Sequence, residues 1–213
     1  MNVANVLTVL RLLLAPFFVV FYFIPVWTGT FYAASIVILW ALFAVIEVTD
    51  ILDGHLARSR NQVTDLGKLL DPYADVVSRL SYFVCFAMTG IMPVWMFVIL
   101  MYREYSIGFI RNMFSKLGVA LAARRGGKIK AAAYSVSGGA GLVILSIRRL
   151  HIFAGTEPAF RVIALIIFSI AVLFSLLSLW DYLTVYFRYR RDRSASPASS
   201  ISAESSPNVD EHT

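Results

Sequence analysis

The sequence predicts an all-α integral membrane protein, a bundle of six transmembrane helices with both termini in the cytoplasm. Three observations carry that prediction. Of 213 residues, 59% are apolar and only 15% are charged, against about 25% charged in a water-soluble domain. The mean hydropathy of +0.73 is spread over several long apolar runs, more than one buried core helix accounts for. Lys and Arg are concentrated in alternate connections between those runs. A spanning helix needs about 20 mostly apolar residues, and six such segments fit, at 6–24, 31–51, 69–89, 94–114, 131–150 and 160–185. They make up a membrane domain over 1–190 and leave no room for a large soluble one.

The first run follows an N-terminus with neither a basic leader nor an A-x-A-like cleavage site. Arg11 interrupts it where a signal peptide would be most apolar, so this run is expected to stay in the mature protein. Its exit at 25–30 carries no Lys or Arg, and neither does the break at 90–93. The alternate connections hold Arg58, Arg60, Lys68, Arg124, Arg125, Lys128 and Lys130, which assigns them to the cytoplasm by the positive-inside rule. An even number of spans returns the C-terminus to that side, with Arg188, Arg190, Arg191 and Arg193. Arg148, Arg149 and Arg161 are the exception, a basic cluster that would face out. In the fifth run, Ser135, Ser137, Gly138, Gly139 and Gly141 read as a face for close helix packing. No strand precedes them, so a nucleotide-binding Gly loop is not indicated. Trp180, Tyr182, Tyr186 and Tyr189 mark the last exit at an interface. Residues 191–213, rich in serine and poor in large apolar side chains, are expected to be a disordered cytoplasmic tail.

The net charge of +6 sits beside apolar spans, where membrane lipids and translocation bias account for it, so nucleic acid is not an expected partner. The single Cys85 lies inside an apolar run, which excludes an intrachain disulfide and a thiolate metal cluster. No internal repeat is evident, as an inverted-repeat transporter would have.

Acidic residues at the edge of a span are costly and usually functional. Five of the thirteen fall between 50 and 75. The stretch reads Asp50-Ile-Leu-Asp53-Gly54-His-Leu-Ala57-Arg58, eight residues of polar loop, then Gly67-Lys-Leu-Leu-Asp71-Pro-Tyr-Ala-Asp75. Asp50 and Asp53 share one helix face and Asp71 and Asp75 another, so the second and third spans are expected to be antiparallel neighbours whose ends bring four carboxylates together. Carboxylates that close raise one another's pKa unless a cation compensates them. Oxygen-only donors select hard ions such as Mg²⁺, Mn²⁺ or Ca²⁺, and no His or Cys cluster competes. Gly54, Ala57 and Gly67 remove bulk beside the acids, leaving room for a flat group or for phosphate oxygens. The alternative, ordinary interfacial charges paired with Arg58 or Lys68, explains neither the number of acids nor the small residues among them.

The frame D-x-x-D-G-x-x-A-R, eight residues, then G-x-x-x-D-x-x-x-D at Asp50, Asp53, Gly54, Ala57, Arg58, Gly67, Asp71 and Asp75 resembles the signature of the CDP-alcohol phosphatidyltransferase family. The resemblance extends over the first five spans through Asn5-Val-Leu-Thr8-Val-Leu-Arg11 with Pro16, Arg103-Glu104, Arg111, and Gly127-Lys128-Ile-Lys130. These segments look like the members that use sn-glycerol 3-phosphate as acceptor. Ala131 departs from the pattern, where a hydroxyl residue is expected after the G-K-x-K segment.

What the resemblance implies is a transferase at the inner leaflet of the cytoplasmic membrane. It would hold CDP-diacylglycerol through two Mg²⁺ or Mn²⁺ ions and let an alcohol displace CMP, giving phosphatidylglycerophosphate from glycerol 3-phosphate. Asp50, Asp53, Asp71 and Asp75 are the implied metal ligands. Asp75 is also the candidate general base. Gly54, Ala57 and Gly67 would line the cytidine pocket, with Arg58 near the pyrophosphate. The acceptor phosphate needs cations: Arg111 and Lys128 lead, followed by Thr8, Arg103 and Lys130, with interfacial snorkelling as the other role for Arg111 and Lys128. Glu104, Gly108 and Arg111 share a face by spacing, one that is expected to look into that same cavity. Arg11 is open between lining the cavity and snorkelling. Homodimerisation is a further implication. Within the family the alternatives are a phosphatidylinositol phosphate synthase and a cardiolipin synthase. Outside it, a metal-ion transporter would distribute its acids over non-adjacent spans at mid-depth, unlike this crowding at one edge.

Overall fold

A computed structural model of the chain describes residues 3–59, 65–117 and 125–195, and these are helical apart from short turns. The helices are α1 (Val3–Thr28), α2 (Tyr32–Ser59), α3 (Asp65–Met88), α4 (Val94–Lys116), α5 (Arg125–Leu150) and α6 (Glu157–Ala195), with a 3₁₀ turn at Ala154–Thr156. Each matches one expected apolar run. Several reach further, because polar residues at a span's end continue the backbone hydrogen-bond ladder. The eight-residue loop expected between the two acidic half-motifs is shorter as a result: α2 runs through Ser59 and α3 begins at Asp65. Likewise α6 continues past 190, through Ala195, while 196–213, most of the expected tail, lies outside the described residues. At about 1.5 Å per residue, the 39 residues of α6 span about 58 Å, well beyond a hydrocarbon core of about 30 Å.

Short turns send successive helices back and forth. Gly29 (φ +69°) and Phe31 (φ +66°) adopt left-handed conformations between α1 and α2, and Gly90 (φ +69°) does so between α3 and α4. At the latter turn, the Ile91 and Met92 amides both donate to the Phe86 carbonyl, at 2.9 and 3.1 Å. At this same end two of the three arginines of the exceptional cluster, Arg148 and Arg149, are engaged by the protein, while Arg161 is exposed. Arg148 Nε pairs with Glu157 at 2.8 Å and Arg149 donates to the Tyr22 carbonyl at 2.5 Å and to Ser35 Oγ at 3.0 Å. Cations so engaged are poor evidence of orientation, which removes much of the force of the exception noted in the sequence.

Four helices, α1, α2, α5 and α6, contain stretches long and apolar enough to cross a membrane. Among the described residues α3 and α4 do not, because charged residues recur along each: Asp65, Lys68, Asp71, Asp75 and Arg79 in α3, and Arg103, Glu104, Arg111 and Lys116 in α4. α1 packs against α2 and α3, α5 against α2 and α6, and α4 against α3 and α6. α1 lies against both α2 and α3, and among the described residues α2 and α3 meet through long side chains such as the Phe43 and Tyr82 rings, 5.7 Å apart.

The core is aromatic, built on Phe18, Tyr22, Phe43, Tyr82, Phe83, Phe86 and Tyr134. The small-residue face of α5 receives it. A Cβ on Gly138 would lie 2.5 Å from the Phe43 ring, and one on Gly141 would collide with the Phe86 ring, whereas Gly139 faces open space. Gly141→Val should therefore lower the unfolding free energy in detergent by about 1–3 kcal/mol through overpacking, while Gly139→Ala should change it by less than about 0.5 kcal/mol. Thermal denaturation followed by circular dichroism checks both.

Candidate active site

Three helix segments converge where the two halves of the acidic motif meet. Thr8 and Arg11 lie one turn apart on α1 and so share a face. Arg11 Nη1 donates to Asp50 Oδ1 of α2 at 2.6 Å, and Thr8 donates its hydroxyl proton to Asp71 Oδ1 of α3. Arg79, one turn beyond Asp75 on α3, binds both half-motifs through one nitrogen: Nη2 is 2.9 Å from Asp50 Oδ2 and 2.8 Å from Asp75 Oδ1. The two guanidinium groups are buried, with Arg11 2% and Arg79 4% exposed. The carboxylates in front of them remain open, 32% for Asp50 and 28% for Asp75. Buried cations behind partly exposed anions leave an acidic face that a cationic or metal-bridged ligand can meet.

Asp53, Gly54, Ala57 and Arg58 continue α2, but their side chains, like that of Lys128 at the start of α5, lie outside the described residues. Gly67 is a buried position of α3. Among the described residues no three His, Cys, Asp or Glu side chains are grouped to hold a metal ion. The donor chemistry nonetheless suits hard cations: Asp50, Asp71 and Asp75 offer only carboxylate oxygens.

Behind this acidic face lies a second, buried network. Glu104 Oε1 of α4 accepts from Arg103 Nη1 at 2.8 Å and from Lys130 Nζ of α5 at 2.6 Å. Arg103 also donates to Ser178 Oγ (2.7 Å) and the Ser175 carbonyl (3.3 Å) of α6. Tyr134 joins the two networks, since its ring lies 4.6 Å from Lys130 Nζ and 5.8 Å from the Arg79 guanidinium carbon.

A family model described as CDP-alcohol phosphatidyltransferase matches residues 1–177. The chain belongs to that family. It is 32% identical over 200 residues to the CDP-diacylglycerol--glycerol-3-phosphate 3-phosphatidyltransferase of Treponema pallidum, covering 88% of this chain and 90% of the relative. A protein of the same name from Bacillus subtilis is 29% identical over 187 residues, covering 85% and 93%. A probable phosphatidylglycerophosphate synthase of Mycobacterium tuberculosis is 32% identical over 181 residues, covering 85% and 79%.

In this CDP-alcohol phosphatidyltransferase the expected acceptor cations occupy different surroundings. Thr8 is fully buried on Asp71. Arg103 and Lys130 are buried on Glu104. Arg111 is exposed, its Nη2 donating to Tyr182 Oη of α6 at 2.8 Å. Glu104 and Arg111 thus turn toward different helices, α5 and α6, rather than into one cavity. Sequence reasoning missed Arg79 and Glu47. Both carried a signal: Arg79 extends the four-residue spacing of Asp71 and Asp75, and Glu47 is an acid inside an apolar run, three residues before Asp50.

Glu104 neutralises two buried cations, and removing it strands both. Glu104→Gln should cost about 3–5 kcal/mol of stability. Glu157→Gln, at a partly exposed pair, should cost under about 1 kcal/mol. Thermal unfolding of the two purified variants distinguishes the buried pair from the exposed one.

Proposed function

We propose that the chain transfers a phosphatidyl group from CDP-diacylglycerol to sn-glycerol 3-phosphate, releasing CMP and forming phosphatidylglycerophosphate. The observation that carries this reading is that Arg79 joins Asp50 of α2 to Asp75 of α3, with Asp71 one turn before Asp75, in a chain matched over most of its length by relatives of that name. The reading includes six spans, with α3 and α4 shielded by their neighbours. It also places the acidic face and both termini on the cytoplasmic side, as the basic connections favour, and pairs two copies in a homodimer.

In this mechanism Asp50, Asp53, Asp71 and Asp75 hold two Mg²⁺ or Mn²⁺ ions. The chemistry those ions supply is charge neutralisation on the phosphoryl oxygens. The remaining steps belong to the chain's own side chains. Asp75, with Oδ1 held by Arg79, takes the proton of the attacking hydroxyl at Oδ2. The hydroxyl oxygen forms the new bond to phosphorus as the bond to CMP breaks. Gly54, Ala57 and Gly67 leave room for the cytidine, and Arg58 meets the pyrophosphate. Lys128 and Arg111, at the end of the bundle that holds the acids, bind the acceptor's phosphate.

Incubating the purified protein with labelled CDP-diacylglycerol and each candidate acceptor tests the reading. CMP release should require glycerol 3-phosphate; release with inositol phosphate or phosphatidylglycerol instead would move the chain to another activity of its family. Asp53→Asn and Asp71→Asn should each abolish turnover without preventing membrane insertion. Lys128→Ala should raise KM for glycerol 3-phosphate roughly tenfold while leaving KM for the lipid nearly unchanged.

A further inference from the structure

Directly beneath the acidic face, three buried polar atoms have no hydrogen-bond partner among the described residues: Glu47 Oε1, Arg79 Nη1 and Tyr82 Oη. Glu47 lies one turn before Asp50 on α2, and Tyr82 lies one turn beyond Arg79 on α3. The other carboxylate oxygen of Glu47 is fixed by the hydroxyl of Ser135 on α5. Arg79 interacts electrostatically with Glu47 and with Tyr82. Buried polar atoms are nearly always paired, so three unpaired ones around a single guanidinium are a local conflict. Arg79 uses one nitrogen on the aspartates and leaves Nη1 without a partner among the described residues, while Glu47, which it feels electrostatically, leaves Oε1 without one.

The oxygens that Arg79 engages, Asp50 Oδ2 and Asp75 Oδ1, belong to the carboxylates assigned above to the metal ions. A divalent cation arriving there repels the guanidinium. A buried arginine driven off its anions needs another anion close by. Glu47 is that anion, and a rotation of the Arg79 side chain would let Nη1, Glu47 Oε1 and Tyr82 Oη find partners.

We infer that Glu47 is a positioning residue that receives Arg79 from Asp50 and Asp75, so that the aspartates are released to bind divalent cations. Arg79 holds the acids together before the ions enter, and Glu47 stabilises its withdrawn position afterwards. The inference rests on the metal-dependent reading proposed above, and it adds to that reading a residue outside the signature motif.

Mn²⁺ binding to the detergent-solubilised full chain, without substrate, tests it through the electron paramagnetic resonance signal of free Mn²⁺. Relative to the unaltered protein, E47Q should bind Mn²⁺ roughly tenfold more weakly, because Arg79 then stays on the aspartates. E47D, which keeps the carboxylate, should recover most of the affinity and serves as the second variant. In an R79M background the same E47Q change should alter affinity less than about twofold, a coupling that a general loss of stability would not produce. Unchanged affinity in E47Q, or an equal loss in the R79M background, overturns the role of Glu47 alone. Failure of the unaltered protein to bind Mn²⁺ overturns both this role and the metal-dependent reading.

Discussion

The arrangement depends on one electrostatic constraint: carboxylates of α2 and α3 must stand together at the end of a bundle of largely apolar helices. Unscreened, they would repel one another and raise one another's pKa. Arg11 and Arg79 solve this from behind, Arg11 on Asp50 and Arg79 on both Asp50 and Asp75. Because the cations are buried and the acids are not, the compensation leaves the outward carboxylate edges accessible. Had the arginines stood in front, the same charges would have closed this face to a phosphate-bearing ligand.

The two polar networks differ in how completely they are satisfied. Around Glu104, Arg103 and Lys130 occupy the carboxylate while Ser175, Ser178 and Tyr134 extend the contacts into α5 and α6. A filled network of this kind rigidifies the helices it joins. The group around Arg79 is incomplete, with unpaired atoms on α2 and α3. Rigidity in the rear network and slack in the front one is the division expected where a site must keep its shape while its counter-ions exchange.

Much of this was legible in the sequence, and the limits have physical causes. The acids could be read because their spacing of three and four fixes a shared helix face whatever the tertiary structure. The packing role of α5 could be read from its small residues, yet sequence does not say that Gly138 and Gly141 meet rings while Gly139 meets none; that is set by the rotation of α5 against Phe43 and Phe86. The packing of α1 against both α2 and α3 could not be read, because adjacency along the chain is a poor guide when long side chains bridge a gap. Nor could the pairing of Arg103 and Lys130 with Glu104, since a buried cation and a phosphate-binding cation have the same composition and differ only in what lies opposite.

Hydropathy alone counts α3 and α4 out as spans, and the reason connects fold to site. Lipid penalises charge only where charge faces lipid. On α3, Ala74, Ser78, Arg79, Tyr82, Phe83 and Phe86 are buried, and the charged residues turn toward α1 and α2. On α4, Arg103 and Glu104 turn toward α5 and α6. Much of the polarity of these helices is therefore spent inside the bundle, with Arg111 the exposed exception. A site of this kind has to be carried by helices that look too polar to cross, enclosed by others apolar enough to shield them. Of the four helices long and apolar enough to span, α1 and α5 pack against α3 and α6 packs against α4.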